Sequence, residues 1–87
     1  MGEVAITYRL MPDDTEVNLE TVKERVLEIL GEQRFHSSEV KPIAFGLEAL
    51  EITAIVEEVE GLGERLESEL GSIEGVQSIV TVALTRL

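Results

Sequence analysis

The chain has no cysteine and no tryptophan, one histidine, two prolines and only three aromatic residues among its 87. Each scarcity closes off a class of chemistry. Without cysteine there are no disulfide scaffolds, thiolate metal sites, CxxC redox pairs or cysteine nucleophiles; the composition suits a reducing compartment, and the cytoplasm is the expected location. His36 stands in a polar stretch with no serine-and-acid constellation that periodicity would bring to it, and reads as a surface histidine in a loop. An RNA-binding plait stacks bases on two or three aromatics of its central strands within a basic surface. Tyr8, Phe35 and Phe45 are the whole aromatic supply here. No apolar run approaches the roughly 20 residues that span a bilayer, and the first residues alternate polar with apolar, so neither a membrane anchor nor a signal peptide is expected.

Positive charge is scarce as well. Seven Lys and Arg face 18 Asp and Glu, a formal net charge of −11. That field repels phosphate backbones and anionic lipid and attracts basic protein surfaces, so direct binding of nucleic acid or membrane is not expected. Solubility, or adaptation to salt or heat, accounts for the acidity equally well.

What is present is a globular composition, 44% hydrophobic and 29% charged, in a chain long enough for one core and too short for two. One domain over residues 1–87 is expected. Val4, Ile6, Tyr8 and Leu10 alternate with smaller or polar residues, the period of a half-buried strand. Asn18 stands where its side chain can cap a helix from Leu19, whose apolar stripe Leu19, Val22, Val26, Ile29 and Leu30 ends near Gly31. A polar connection over 32–38 leads to an extended segment from Glu39 to Phe45. Pro42 makes that segment an edge strand, because proline removes a ladder donor. Leu50, Ile52, Ala54 and Val56 form a third strand. Leu62, Leu66, Leu70 and Ile73 line a second helix that stops at Glu74 and Gly75. Val76, Val80, Val82 and Leu84 share one face of a last strand, before Thr85, Arg86 and Leu87 end the chain. Two βαβ halves with right-handed crossovers give the ferredoxin-like α+β plait: a four-stranded antiparallel sheet with both helices on one face. That plait hosts too many activities to name one.

The motifs for small-molecule chemistry are incomplete. Gly61 and Gly63 lack the third glycine of a dinucleotide turn, which would stand at Leu66, and no GK[ST] is present. The acids Asp13, Asp14 and Glu16, and Glu57, Glu58 and Glu60, lack calcium-loop spacing. No metal, cofactor or catalytic group is expected, and the chain does not read as an enzyme. A regulatory plait that binds an amino acid or similar small molecule through backbone and loops stays open. Two residues have a double reading. Phe45, beside Gly46 at the end of the edge segment, is either core or an anchor for a partner's pocket. Arg86, on a short tail, is either an ordinary solvated arginine or a working cation.

The segments VKPIAFGLEAL (Val40–Leu50), EGLGERLESELGSIEGV (Glu60–Val76), YRLMPDD and VNLETV near the start, and VQS (Val76–Ser78) cover nearly the whole chain in order. Together they resemble the archaeal elongation factor 1-beta family. The resemblance implies a guanine nucleotide exchange factor that binds GDP-loaded and nucleotide-free elongation factor 1-alpha and lets GTP replace GDP during translation elongation. It also implies that the aromatic of the PIAFG segment docks on the GTPase, and that the basic penultimate residue reaches toward its magnesium and phosphate region. Those positions fall on Phe45 with Gly46, and on Arg86 with Leu87. Eukaryotic members carry lysine at the penultimate place and a lysine pair after the phenylalanine-glycine turn. Here Arg86, and Glu48 with Ala49, stand instead.

Overall fold

A computed structural model describes residues 2–87. Its elements run β1 (Glu3–Pro12), α1 (Leu19–Arg34), β2 (Phe35–Pro42), β3 (Glu48–Glu57), α2 (Leu62–Gly71) and β4 (Val76–Arg86). The sheet order is β2-β3-β1-β4, and every neighbouring pair is antiparallel, with Tyr8 opposite Ile52 and Leu10 opposite Leu50. This is the ferredoxin-like plait. Alternation along β1 and β3 places Val4, Ile6, Tyr8, Leu10, Leu50, Ile52, Ala54 and Val56 on one face, where Val22, Val26 and Leu30 of α1 and Leu66 and Leu70 of α2 cover them. Asn18 caps α1 by accepting from the Glu20 amide at 2.9 Å. Tyr8 spans the two layers: its hydroxyl donates to the Gly63 carbonyl at 2.9 Å and fastens the start of α2 to the central strand. Burial, reinforced by the charges of Glu67 and Glu64, pushes this phenol up to about 12.

Three boundaries and the facing of one strand differ from what the sequence leads one to expect, each for a local reason. Gly31 has φ 78 and ψ 166, a conformation open to glycine. It breaks α1, and only a short further turn reaches Arg34. Strand β2 then begins at Phe35, four residues before the expected Glu39, because Phe35 pairs with Ala54 and turns its ring to the core. His36 is therefore a bulge residue in a strand, not a loop residue. Helix α2 ends at Gly71 instead of Glu74, its cap Ser72 bonding back to Ser68. The fourth difference is in β4, where Thr7 pairs with Ala83 but Tyr8 with Thr81. Val82 is the extra residue, and the bulge reverses the facing of residues 78–81, until a second irregularity between Met11 and Pro12 returns Val76 to the core side. Ile79 packs against the core, while Val80 and Val82, expected inside, are exposed.

Candidate functional site

The first candidate pair, Phe45 and Gly46, forms the tip of the β2–β3 hairpin. The Leu47 amide donates to the Ala44 carbonyl at 3.1 Å, and the Ile43 amide to the Leu47 carbonyl at 2.8 Å. Both central residues have positive φ, 60 for Phe45 and 78 for Gly46, the signs of a type I′ turn. Such a turn suits the twist of an antiparallel pair and prefers Asn-Gly. Glycine takes the second position freely, whereas a bulky L-residue in the first costs about 1–2 kcal/mol. Phe45 is the one non-glycine residue with positive φ among those described. Its side chain is 97% exposed, so the core alternative is excluded. The extended segment ends at Pro42, the last residue of edge strand β2, and Phe45 lies beyond it in the turn.

The second pair, Arg86 and Leu87, is at the other end of the sheet. Arg86 is the last residue of β4, opposite Val4, and not part of a loose tail. The Leu87 amide continues the pairing by donating to the Glu3 carbonyl at 2.9 Å. The Arg86 guanidinium is largely exposed, and its Nε lies 2.8 Å from the Glu58 carboxylate. It sits at the mouth of a cleft of about 550 Å³ with a floor of Val4, Ile6, Tyr8 and Val56. The rim carries Glu57, Glu58, Glu60, Glu64 and Glu67, and Arg86 is the one cation among the lining residues. Glu57 is tied to Arg34 at 2.9 Å, and that hydrogen bond holds its carboxyl below the usual range.

The structure does not bring the two pairs together. Phe45 joins β2 to β3 at one edge of the sheet, beyond the Pro12 end of β1, and Arg86 lies on β4 at the opposite edge, beside Val4. The eight residue steps from Val4 to Pro12 alone span about 26 Å. The pairs therefore occupy diagonal corners of a molecule 42 Å long. What sequence did not reveal is that Glu58, there only one of a group of acids, pairs with Arg86; the two are distant in sequence and no spacing links them.

The remaining candidates have structural roles. Gly61, at φ 82, precedes α2, and Gly63 supplies the carbonyl for Tyr8. Asp14 accepts from the Glu16 amide at 2.8 Å, closing a turn. Among the described residues there is no group of three or more His, Asp or Glu poised to hold a metal, and no helix long and apolar enough to cross a membrane. Of the three aromatics, Tyr8 is buried, Phe35 packs on the core and Phe45 occupies the turn, so none lies on the uncovered sheet face.

Comparison with known proteins matches residues 5–87 to the EF-1 guanine nucleotide exchange domain. The chain is 41% identical over 80 residues to elongation factor 1-beta of Archaeoglobus fulgidus, 91% of each chain being covered. To elongation factor 1-beta of Methanothermobacter thermautotrophicus it is 39% identical over 88 aligned positions, covering all of this chain and 99% of the relative. To that of Methanococcoides burtonii it is 37% identical over 87, covering 99% and 98%.

Proposed function

The chain belongs to the EF-1 guanine nucleotide exchange family, and from that premise we propose that it opens the nucleotide site of elongation factor 1-alpha by gripping the GTPase at two separated corners, Phe45 with Gly46 and Arg86 with Leu87. Its activity is guanine nucleotide exchange in translation elongation, with no covalent bond made or broken. Family membership selects this protein-contact reading over the small-molecule sensor. The cytoplasm, where elongation runs, is the compartment we assign.

The observation that carries the contact reading is Phe45, a large apolar ring turned wholly into solvent on a backbone that disfavours it. Strain of that kind persists where surrounding structure enforces it, and it clusters at functional sites. An exposed aromatic on a tight two-residue turn has few rotatable bonds to fix when a pocket closes over it, which suits a binding hot spot. Arg86 supplies a different ingredient. Its guanidinium is held by Glu58 in the free protein; on docking it leaves that carboxylate for the magnesium and phosphate region of the GTPase, where a cation competes with the bound metal. The carboxylates left at this corner favour a basic surface on the partner.

Exchange then follows from linkage. If the factor binds the nucleotide-free GTPase more tightly than the GDP form, GDP weakens factor binding by the same ratio. A thousandfold acceleration of GDP release needs about 4 kcal/mol of differential stabilisation. The factor itself holds no nucleotide, and cellular GTP excess sets the direction. The test is release of fluorescent GDP from the cognate elongation factor 1-alpha with and without this chain. Acceleration is expected, together with no measurable GDP or GTP binding to the isolated chain. An unchanged release rate, or tight nucleotide binding by the chain alone, would overturn the reading.

A further inference from the structure

The two edges of the sheet are built differently. Strand β2 is short and blunted: Glu39 and Lys41 form an ion pair at 3.3 Å along it, and Pro42 lacks a main-chain donor. Charges and proline are among the ways sheets avoid unwanted pairing along an edge. Strand β4, the opposite edge, has eleven residues, VQSIVTVALTR. It contains no acidic residue although 18 of the 87 are acidic, and no charge before Arg86. Ile79, Val80, Thr81, Val82 and Thr85 are β-branched types that favour extended backbone, and Val80, Val82 and Leu84 are exposed. No strand lies beyond it among the described residues. In an antiparallel pair the main-chain groups of a strand alternate between its two neighbours. About half of those on β4 therefore point away from β1 with no ladder partner.

We propose that the free edge of β4 is a docking edge to which the GTPase adds an extended segment, neutral or basic in charge, by main-chain pairing along Ser78–Arg86. The inference rests on the exchange reading and adds to it the surface leading to Arg86. Three observations select this occupant. The edge runs continuously into Arg86, so a strand laid along it arrives at the corner already assigned to the partner. A second copy of this chain is disfavoured, because each carries a formal charge of −11 and two such bodies repel. The Val82 bulge twists the edge, which opposes the flat stacking of many copies of this chain. Main-chain bonds supply the affinity in such an addition, and alternate side chains the specificity.

Amide hydrogen exchange measured by NMR tests this, on the free protein and on its complex with nucleotide-free elongation factor 1-alpha. The expected result is that outward-pointing amides between Ser78 and Arg86, fast in the free protein, slow at least tenfold in the complex while β2 amides keep their rates. As a second measurement, Val80→Glu places an acid on the edge and should weaken the complex at least tenfold with the melting temperature unchanged, whereas Ser37→Glu on β2 should change neither. If the GTPase binds and exchanges normally while β4 amides keep their free rates, this inference fails and the exchange reading stands. Failure to form any complex overturns both. Protection of β4 that appears without the GTPase and grows with protein concentration assigns the edge to a second copy and overturns the proposal.

Discussion

The hairpin tip and the Arg86 corner, the two ends of the proposed grip, are unlike constructions. At the tip the backbone is the unusual element: a left-handed φ holds an aromatic ring in water, where it packs against nothing. At the corner the backbone is regular strand paired with β1, and charge is the unusual element, a guanidinium among five carboxylates of a cleft rim. Desolvation of a ring contributes to affinity whatever the nucleotide state. A cation that displaces magnesium acts as the nucleotide leaves. On the proposed reading the tip holds the GTPase and the corner empties it, a division that mutations can test one end at a time.

The largest effect is expected at the tip. Truncation of a central aromatic anchor costs about 2–4 kcal/mol of binding, so Phe45→Ala should raise the factor concentration for half-maximal exchange by roughly thirtyfold or more while the rate at saturation changes little. Its melting temperature should stay put. A stability loss of the 3–5 kcal/mol that follows core truncation would break the comparison at its first premise.

The central strand provides a control in Tyr8, which lies in the floor of the Arg86 cleft but whose hydroxyl is engaged by the Gly63 carbonyl. The Tyr8 phenol is raised above its unfolded value of 10.0, to about 12 in the fold, so the folded state retains the proton that the unfolded chain gives up. The associated stability is fully present below pH 10 and is lost as pH rises toward 12, on the order of 2 kcal/mol. Alkaline unfolding followed by circular dichroism should show that loss, and Tyr8→Phe should remove most of it. Exchange at neutral pH should be the same for both proteins.

Arg86→Ala comes next. A tenfold or greater fall in GDP release at saturating factor corresponds to about 1.4 kcal/mol in the barrier, with binding to the nucleotide-free partner nearly intact. Arg86→Lys should retain most activity if charge is what counts, although the planar fork is lost. Stopped-flow release beside a binding titration separates rate from affinity. A mutant that exchanges at the wild-type rate removes the corner from the mechanism.

A smaller and opposite effect is expected from Phe45→Asn. Asparagine tolerates the left-handed region and Asn-Gly is the favoured type I′ pair, so the domain should gain about 1 kcal/mol in urea unfolding as it loses its anchor. Stability falling instead would show that the ring supports the turn. The smallest change is expected for Glu58→Gln, which frees the Arg86 guanidinium. Exposed ion pairs contribute about 0.2–1 kcal/mol, so exchange should quicken by less than about fivefold, and not at all when Arg86 is already alanine.

Much of this architecture was legible because burial has a period. Alternation along β1 and β3 and the stripes of α1 and α2 reflect one buried face each, and they read correctly down to Tyr8 and Leu70. The misreadings occurred where the period itself is interrupted. One residue inserted at Val82 turned Val80 outward and Ile79 inward, and such a bulge has no composition of its own. A similar irregularity at His36 concealed the start of β2. Phe45 stayed ambiguous because hydrophobicity alone assigns a phenylalanine to the interior; the signal against it was the Phe-Gly pair flanked by strand-forming runs, which is turn chemistry. Glu58 was invisible as a partner of Arg86, since only the sheet register brings a loop after β3 to the end of β4.

That register also governs how the chain reaches its fold. The central strand pairs with nothing nearby in sequence: Leu10 meets Leu50, and Val4 meets Arg86. Contacts of such high sequence separation form slowly, because loop-closure entropy is lost before pairing returns any stabilisation. Refolding in milliseconds or longer is the corresponding expectation, in place of the microseconds of a helical bundle. On the ribosome, β1 emerges early and then waits, its outer edge unpaired, until β4 clears the exit tunnel. The strand pair that carries Arg86 is the last part of the sheet that synthesis allows to close.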